Sequence, residues 1–530
     1  MKKFKSIFLT AALSLVFFAC EQEVAELNPY PSAGGGSSSG TSGSADFSKF
    51  VTIGGAYTAG FGDGGLLHSG LQPYSVGRMI AVQLAHAGGS STFVQPDINS
   101  LNGYFGPGAD GTPGTADDEG RWYLTQSAST GALGVGRSEG DFASVTTPYS
   151  GDMSKIQNFA VGKQTMGQFL IPNDGAVAPL NPYFARFDAS GGTVSALAQM
   201  IGTQSSFFMA WLGTYDFLAH YARGADPNVF PEPTAATYGP QFEQALQSML
   251  TANPAWKGVV GTVPDLLASP FFQMVGDPSA LVPLDATDDA ATIGLLAQLS
   301  GGINLLNGLA VTEGLITKEE GDSRFLNWEA GINPLLVEDE SLTDMGPWYD
   351  QLRALGIIET DAQRTQLVPY EQARMARSGE IIHLLGGTMI GTTPTADPTL
   401  VLGITLPMPD VAFLTGAELI HVETQRALFN GAIKQAVATH GGGRVAVADF
   451  DGFFQTLAGA SPFPMNNSVI TYDFAPPTGL WSVDGLLPNG RGYTLMANAF
   501  IAAINEQFGA TVPLGNPTDA PGPPFPVTID

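Results

Sequence analysis

The chain has 530 residues, 44% apolar and only 13% charged, which excludes global disorder and leaves material for about three domains or one large α/β domain with insertions. Its 22 basic and 49 acidic residues give a net charge of −27 and a pI near 4.4, so a polyanion is repelled and nucleic acid drops out as a partner. The 66 glycines and 37 prolines imply many turns and long loops around a regular scaffold.

Lys2, Lys3 and Lys5 precede an apolar run over residues 7–19 that is too short to span a bilayer comfortably, and residues 1–19 read as a signal peptide. The run ends at Phe17-Phe18-Ala19-Cys20, and Cys20 is the only cysteine. This stretch resembles a bacterial lipobox, with Phe17 where most carry Leu or Val, and implies cleavage before an acylated Cys20. With that thiol used, disulfides and cysteine chemistry are excluded. No second apolar run of 18 residues follows, so a soluble body tethered to a membrane by acyl chains is expected. Residues 20–46 form the tether, of which 31–45 (PSAGGGSSSGTSGSA) read as flexible coil. Glu21, Gln22 and Glu23 resemble the acidic export signal of Bacteroidetes lipoproteins, which implies an outer-membrane lipoprotein displayed on the cell surface.

From Phe50 onward, short apolar runs alternate with amphipathic stretches. Phe50-Val51-Thr52-Ile53 reads as a buried strand, and residues 75–87 place Val76, Ile80, Leu84 and Ala87 at helical spacing. Residues 207–212, 259–263 and 445–450 read as further core strands. Thr415-Gly416-Ala417-Glu418 is a capping box that opens a helix to about His440, stopped by Gly441-Gly442-Gly443. Such alternation implies a parallel sheet covered on both faces. Residues at about 97–147 and 278–405 break it and read as insertions in a body spanning 47–530. Ligands of such sheets bind beyond the strands' carboxyl ends, which directs attention to the loops after Ile53, Val161 and Leu212.

The first of these loops reads Ile53-Gly54-Gly55-Ala56-Tyr57-Thr58-Ala59-Gly60-Phe61-Gly62-Asp63-Gly64. It resembles the first block of the SGNH (GDSL) esterase and lipase family, in the branch common among Bacteroidetes lipoproteins. The resemblance continues through Tyr149-Ser150-Gly151-Asp152, Asn158-Phe159-Ala160-Val161 and Asn181-Pro182-Tyr183-Phe184. It resumes at Trp211-Leu212-Gly213-Thr214-Tyr215-Asp216, Thr262-Val263-Pro264-Asp265 and Val483-Asp484-Gly485-Leu486-Leu487-Pro488. It implies an α/β fold of flavodoxin-like type, a three-layer α/β/α sandwich with a central parallel sheet and long insertions.

The same resemblance implies lost chemistry. The family's nucleophilic Ser is matched by Ala56, whose methyl group cannot attack an ester. The oxyanion-binding Asn is matched by Tyr215, between retained Gly213 and Asp216; a phenol donates from several ångströms away. The general-base His is matched by Leu487, while its orienting Asp is kept as Asp484. The second-block Gly, a backbone donor to the oxyanion hole, corresponds to Gly162 or to Lys163. Losing nucleophile or base in such a hydrolase costs on the order of 10⁶ in kcat.

Other residues offer little replacement. Thr58 should face elsewhere, Ser69 lies near the elbow, and His68 reads as a solvated loop histidine. His86, His220, His383, His421 and His440 fit structural roles, with no zinc-like spacing. Asp216 and Asp484 offer a glycosidase-like pair of carboxylates, against which Asp484 reads as bonded to nearby backbone. Asp110, Asp117 and Asp118 read first as a solvated acidic turn and second as an oxygen-rich calcium loop without EF-hand spacing. The expectation is a pseudoenzyme without cofactor that binds a lipid or acylated glycan, or an outer-membrane protein partner. The alternative is an active esterase or lipase using relocated residues.

Overall fold

The computed structural model describes residues 40–176, 180–395, 397–465 and 468–529. The signal peptide, Cys20 and most of the tether lie outside the described residues; residues 40–45, expected to be flexible coil, are instead tied to the body, with Gly40 N donating to His86 O and Ser44 N to Phe508 O, both at 2.8 Å. The described residues form two compact units: a larger one of residues 40–218, 233–270 and 423–529, and a smaller one of 219–232 and 271–422.

The larger unit is built on four parallel strands in the order β1 (Phe50–Gly54), β2 (Phe207–Trp211), β3 (Lys257–Gly261), β4 (Val445–Ala448). Every residue of FVTIG and FFMAW is buried, as expected of strands covered on both faces, which read as continuous apolar runs. Residues 157–161 run alongside the other edge of β1. There Phe159 N donates to Thr52 O at 2.7 Å and Val161 N to Gly54 O at 2.8 Å. Taken in chain order, these five segments stand in the hydrogen-bonding order 2-1-3-4-5.

Helices flank this sheet. Helix α1 (Val76–Ala85) starts where the Ser75 hydroxyl accepts from Arg78 N, and it packs on β1. Helix α2 (Ala196–Gly202) packs on β1 and on α3 (Ala235–Ala252). Helix α4 (Gly490–Phe508), capped by Asn489, packs on α1, β3 and β4, burying Tyr493, Ala497, Phe500, Ile501 and Ile504 at helical spacing. Trp211 is central to this core. Its ring stacks on Phe450 at 4.4 Å and meets Phe500 edge-on at 5.1 Å, and its Nε1 donates to Thr262 O at 2.8 Å. The segment at 97–147 contributes an antiparallel hairpin, Glu119–Ser127 with Leu133–Glu139, and Val527–Ile529 adds a parallel third strand.

The smaller unit has short antiparallel pairs, Val282–Leu284 with Gly331–Asn333, Leu336–Glu338 with Ala373–Met375, and Ile381–Ile382 with Phe413–Leu414. They enclose a core that includes Leu335, Leu336, Val337, Met408 and Phe413. Among the described residues one helix, Ala290–Thr312, is long and apolar enough to cross a membrane by length and composition, which corrects the expectation that no further such stretch exists. Uncharged Ser, Asn and Gln interrupt its apolar run without making it hydrophilic. One face of it is buried, at Leu296, Ser300, Ile303, Asn307 and Ala310.

Candidate functional site

The carboxyl ends of β1 and β2 open on one crevice. Gly54 closes β1, and Gly55 turns into the one-turn helix Ala56–Ala59, leaving Ala56 half-buried. Beyond β2, Gly213 turns into the helix Thr214–Tyr221, which presents Tyr215. A Cβ added to Gly55 would stand 3.9 Å from that of Tyr215, so the two loops face each other closely. Ala56, Tyr57, Trp211 and Tyr215 line the cavity between them, whose volume of ≈ 10 Å³ holds about one water.

Tyr57 closes the floor of this crevice. Its ring lies 5.2 Å from Trp211 and 6.3 Å from Tyr493, and its buried hydroxyl has no partner. Burial first, then the charges of Asp484 and Asp265, push its pKa upward, so the phenol stays neutral. Gly213 sets how close the second loop can come. It sits at φ +89°, and a Cβ there would be 2.7 Å from the Phe429 ring. Gly213→Ala is expected to cost about 1–3 kcal/mol in chemical denaturation. A loss below ~0.5 kcal/mol would mean that the Phe429 ring yields freely.

The other positions that the resemblance singles out lie outside this cavity. Gly162 lines a neighbouring one with Phe61 and Tyr183, where an added Cβ would be 1.9 Å from Phe61 Cζ. Its carbonyl accepts from Asn181 Nδ2 at 3.0 Å, and Lys163 follows at φ 58°. Leu487 is buried. Asp484 is buried too, and its carboxylate accepts from the backbone N of Gly64, Gly65, Leu486 and Leu487 and from the Ser482 hydroxyl, at 2.8–3.2 Å. These donors only partly offset the burial that raises its pKa. Asp216 is wholly buried and accepts from Met166 N at 3.0 and 3.2 Å and from the Tyr238 hydroxyl. Both carboxylates clamp loops.

A larger cavity, ≈ 200 Å³, lies beside the 482–487 turn. Its polar wall is Asp63, His68, Arg121 and Ser482, and its apolar wall includes Leu71, Leu101, Val483 and Pro521–Pro524. His68 is not solvated: it is 5% exposed, with Nε2 3.3 Å from Asp63 Oδ2. Arg121 Nη1 lies 3.6 Å from the same oxygen, while Asp63 Oδ1 accepts from Val483 N at 3.3 Å. Asp63 takes up φ 49°, a left-handed conformation that aspartate adopts more readily than most residues. Neither Asp63 nor Arg121 stands out in the sequence as a site residue. The cluster Gly62-Asp63-Gly64-Gly65 was the available signal, since a turn that tight re-aims its one side chain.

Thr58 is fully buried, and Ser69 is partly exposed. In the loop at 108–119, Asp110, Asp117 and Asp118 accept from amides of their own loop, Thr112 N, Asp110 N and Gly114 N. His220, His383, His421 and His440 bond to Phe230 O, Val411 O, Glu232 and Glu243 respectively. Among the described residues, one group of three carboxylates is close enough to share an ion: Glu340, Asp410 and Glu418 of the smaller unit. They are 78 residues apart at the extremes, and no local spacing announces them. No protein-family model matches the chain, and no curated protein matches it.

Proposed function

We propose that the chain is a lipid-anchored outer-membrane protein of SGNH/GDSL-hydrolase-like fold, flavodoxin-like in strand order with three α/β/α layers. In this reading it no longer hydrolyses esters and binds a ligand, an acylated glycan or lipid. The 2-1-3-4-5 strand order supports the fold reading. One observation carries the functional reading. The crevice at Ala56 and Tyr215 holds about one water, while the cavity beside it has a polar wall of Asp63, His68 and Arg121 facing an apolar wall of Leu71, Leu101 and prolines. Such a pairing suits a ligand with a hydroxyl-rich end and an acyl end. Its volume, below the usual several hundred Å³, selects a single sugar ring or a short acyl group.

Calorimetric titration of the full chain with monoacylated monosaccharides is expected to show saturable binding, weakened at least tenfold by Arg121→Ala. Absence of heat up to millimolar ligand would turn the search to a membrane-protein partner.

One observation favours ester hydrolysis as the second reading: Ser482 shares the larger cavity with the Asp63–His68 pair. The Ser482 hydroxyl, however, donates to Asp484 at 2.8 Å and accepts from Asp63 N, so no imidazole takes its proton. Neither turnover of p-nitrophenyl esters nor fluorophosphonate labelling is expected. Turnover abolished by both Ser482→Ala and His68→Ala would establish the esterase instead.

A further inference from the structure

In the smaller unit, three acidic side chains from separate parts of the chain converge. Residue 340 follows the strand Leu336–Glu338. Residues 408–410 run beside that strand, with Met408 N donating to Leu336 O and Glu338 N to Met408 O, at 2.9 and 3.0 Å. The chain then passes through Phe413–Leu414 to the capping box, where Thr415 N donates to Glu418 Oε2 at 2.7 Å and Glu418 N to Thr415 Oγ1 at 3.2 Å. Paired backbone and a helix cap therefore hold the three positions, and one oxygen from each of Glu340, Asp410 and Glu418 lies within 4.8 Å of the others.

Three of the oxygens in this cluster lack donors. Asp410 is 8% exposed, and both of its oxygens are buried without a hydrogen-bond partner; Glu418 Oε1 is buried and unpartnered too. An anionic oxygen shut away from water with nothing to bond costs several kcal/mol in general. Arginine solves that problem elsewhere in this unit, where Arg374 spans Asp339 and Glu380. Here the charged neighbours acting on Asp410 are Glu340, Glu418 and Asp226, all acidic. Burial first, then Glu340, pushes the Asp410 carboxyl upward, and burial does the same to Glu418.

We propose that Glu340, Asp410 and Glu418 form a calcium site, each giving a carboxylate oxygen, with water completing the shell. Calcium takes six to eight oxygens at about 2.3–2.6 Å, so two oxygens on opposite sides of the ion stand about 4.8 Å apart, and the convergent set fits within one such sphere. Hard carboxylate oxygens without nitrogen or sulfur disfavour zinc and copper. Magnesium needs near-ideal octahedral geometry and sheds water reluctantly, which suits a partly closed carboxylate cluster less well. An ion here would join the strand end, the parallel segment and the helix cap into one cross-link.

The test uses the full chain in detergent, stripped with chelator and titrated with calcium chloride by calorimetry, with terbium luminescence as a second readout. Wild type is expected to bind calcium with Kd below ~1 mM. Its melting temperature should rise by about 3 °C or more at a hundredfold excess over Kd. Asp410→Asn and, separately, the exposed Glu340→Gln should each weaken binding at least tenfold. Asp117→Asn, in the acidic loop of the larger unit, should leave these changes intact. The proposal is overturned if wild type shows neither heat nor terbium signal. It is equally overturned if calcium binding survives both Asp410→Asn and Glu340→Gln, or is lost only with Asp117→Asn.

Discussion

Arg374→Met is expected to destabilise the smaller unit by about 3–5 kcal/mol in urea unfolding. The guanidinium is 1% exposed. Its Nε donates to Asp339 Oδ2 at 2.5 Å, and its Nη1 and Nη2 grip both oxygens of Glu380 at 3.0 and 2.6 Å. Nη1 also reaches Met375 O at 3.1 Å, so the side chain ties its own strand, Ala373–Met375, to two carboxylates. Methionine fills similar volume but leaves Asp339 and Glu380 buried and unpaired, which is the costly half of breaking a buried bridge. Adding Asp339→Asn and Glu380→Gln to Arg374→Met should therefore recover much of the loss. A single-variant loss below ~1 kcal/mol would show that water reaches the carboxylates and the bridge is screened.

Asp216→Asn should reverse sign with the usual expectation for a buried aspartate and stabilise the protein at alkaline pH. Burial raises the Asp216 carboxyl from its ordinary value near 3.8 to about 7, and the bonds from Met166 N and the Tyr238 hydroxyl do not offset it. The folded state thus holds the proton more tightly than the unfolded chain. This group's stabilising effect is fully present below about pH 4 and is lost as pH rises through about 7. Asparagine keeps an acceptor for Met166 N and carries no charge, so relative to wild type it should gain up to about 4 kcal/mol between pH 4 and pH 8. Unfolding free energies of the two proteins across that range decide the matter. A constant difference would mean that the carboxyl is ionised throughout.

The parts of the fold legible in the sequence are those where one residue's environment repeats along a short stretch. Phe50-Val51-Thr52-Ile53 and residues 207–212 are apolar at every position but Thr52 because both faces of a parallel strand are covered, and they hold β1 and β2. Thr415 and Glu418 form the predicted capping box, and the helix Gly416–His440 ends at the glycine triplet. The hairpin Glu119–Ser127 was hidden inside a segment rich in Gly, Asp and Ser, and its third strand, Val527–Ile529, comes from four hundred residues later in the chain. The site divides in the same way. Ala56 and Tyr215 follow their strands and meet, as loops at adjacent parallel strand ends do. His68 looked solvated because nothing local reveals that Asp63, five residues earlier, folds back through a left-handed turn to face it. Glu340, Asp410 and Glu418 meet only through tertiary pairing, and each taken alone is an ordinary acidic residue.

The first described residues cross the sheet's opposite margin. Gly40 N donates to His86 O just past α1, Ser44 N donates to Phe508 O at the last residue of α4, and Thr41 O accepts from Thr511 N. Phe47 packs edge-on against Phe207, the first residue of β2, and Lys257, the first of β3, reaches Ser44 O. All of these lie where strands begin, whereas Ala56 and Tyr215 lie where they end. A handle placed ahead of residue 40 therefore leaves from the heel of the sheet. Coupling the chain through that end to a sensor chip or bead turns the crevice and its neighbouring cavity toward the bulk solution, and a bulky fusion there stays clear of whatever docks at the strand tips.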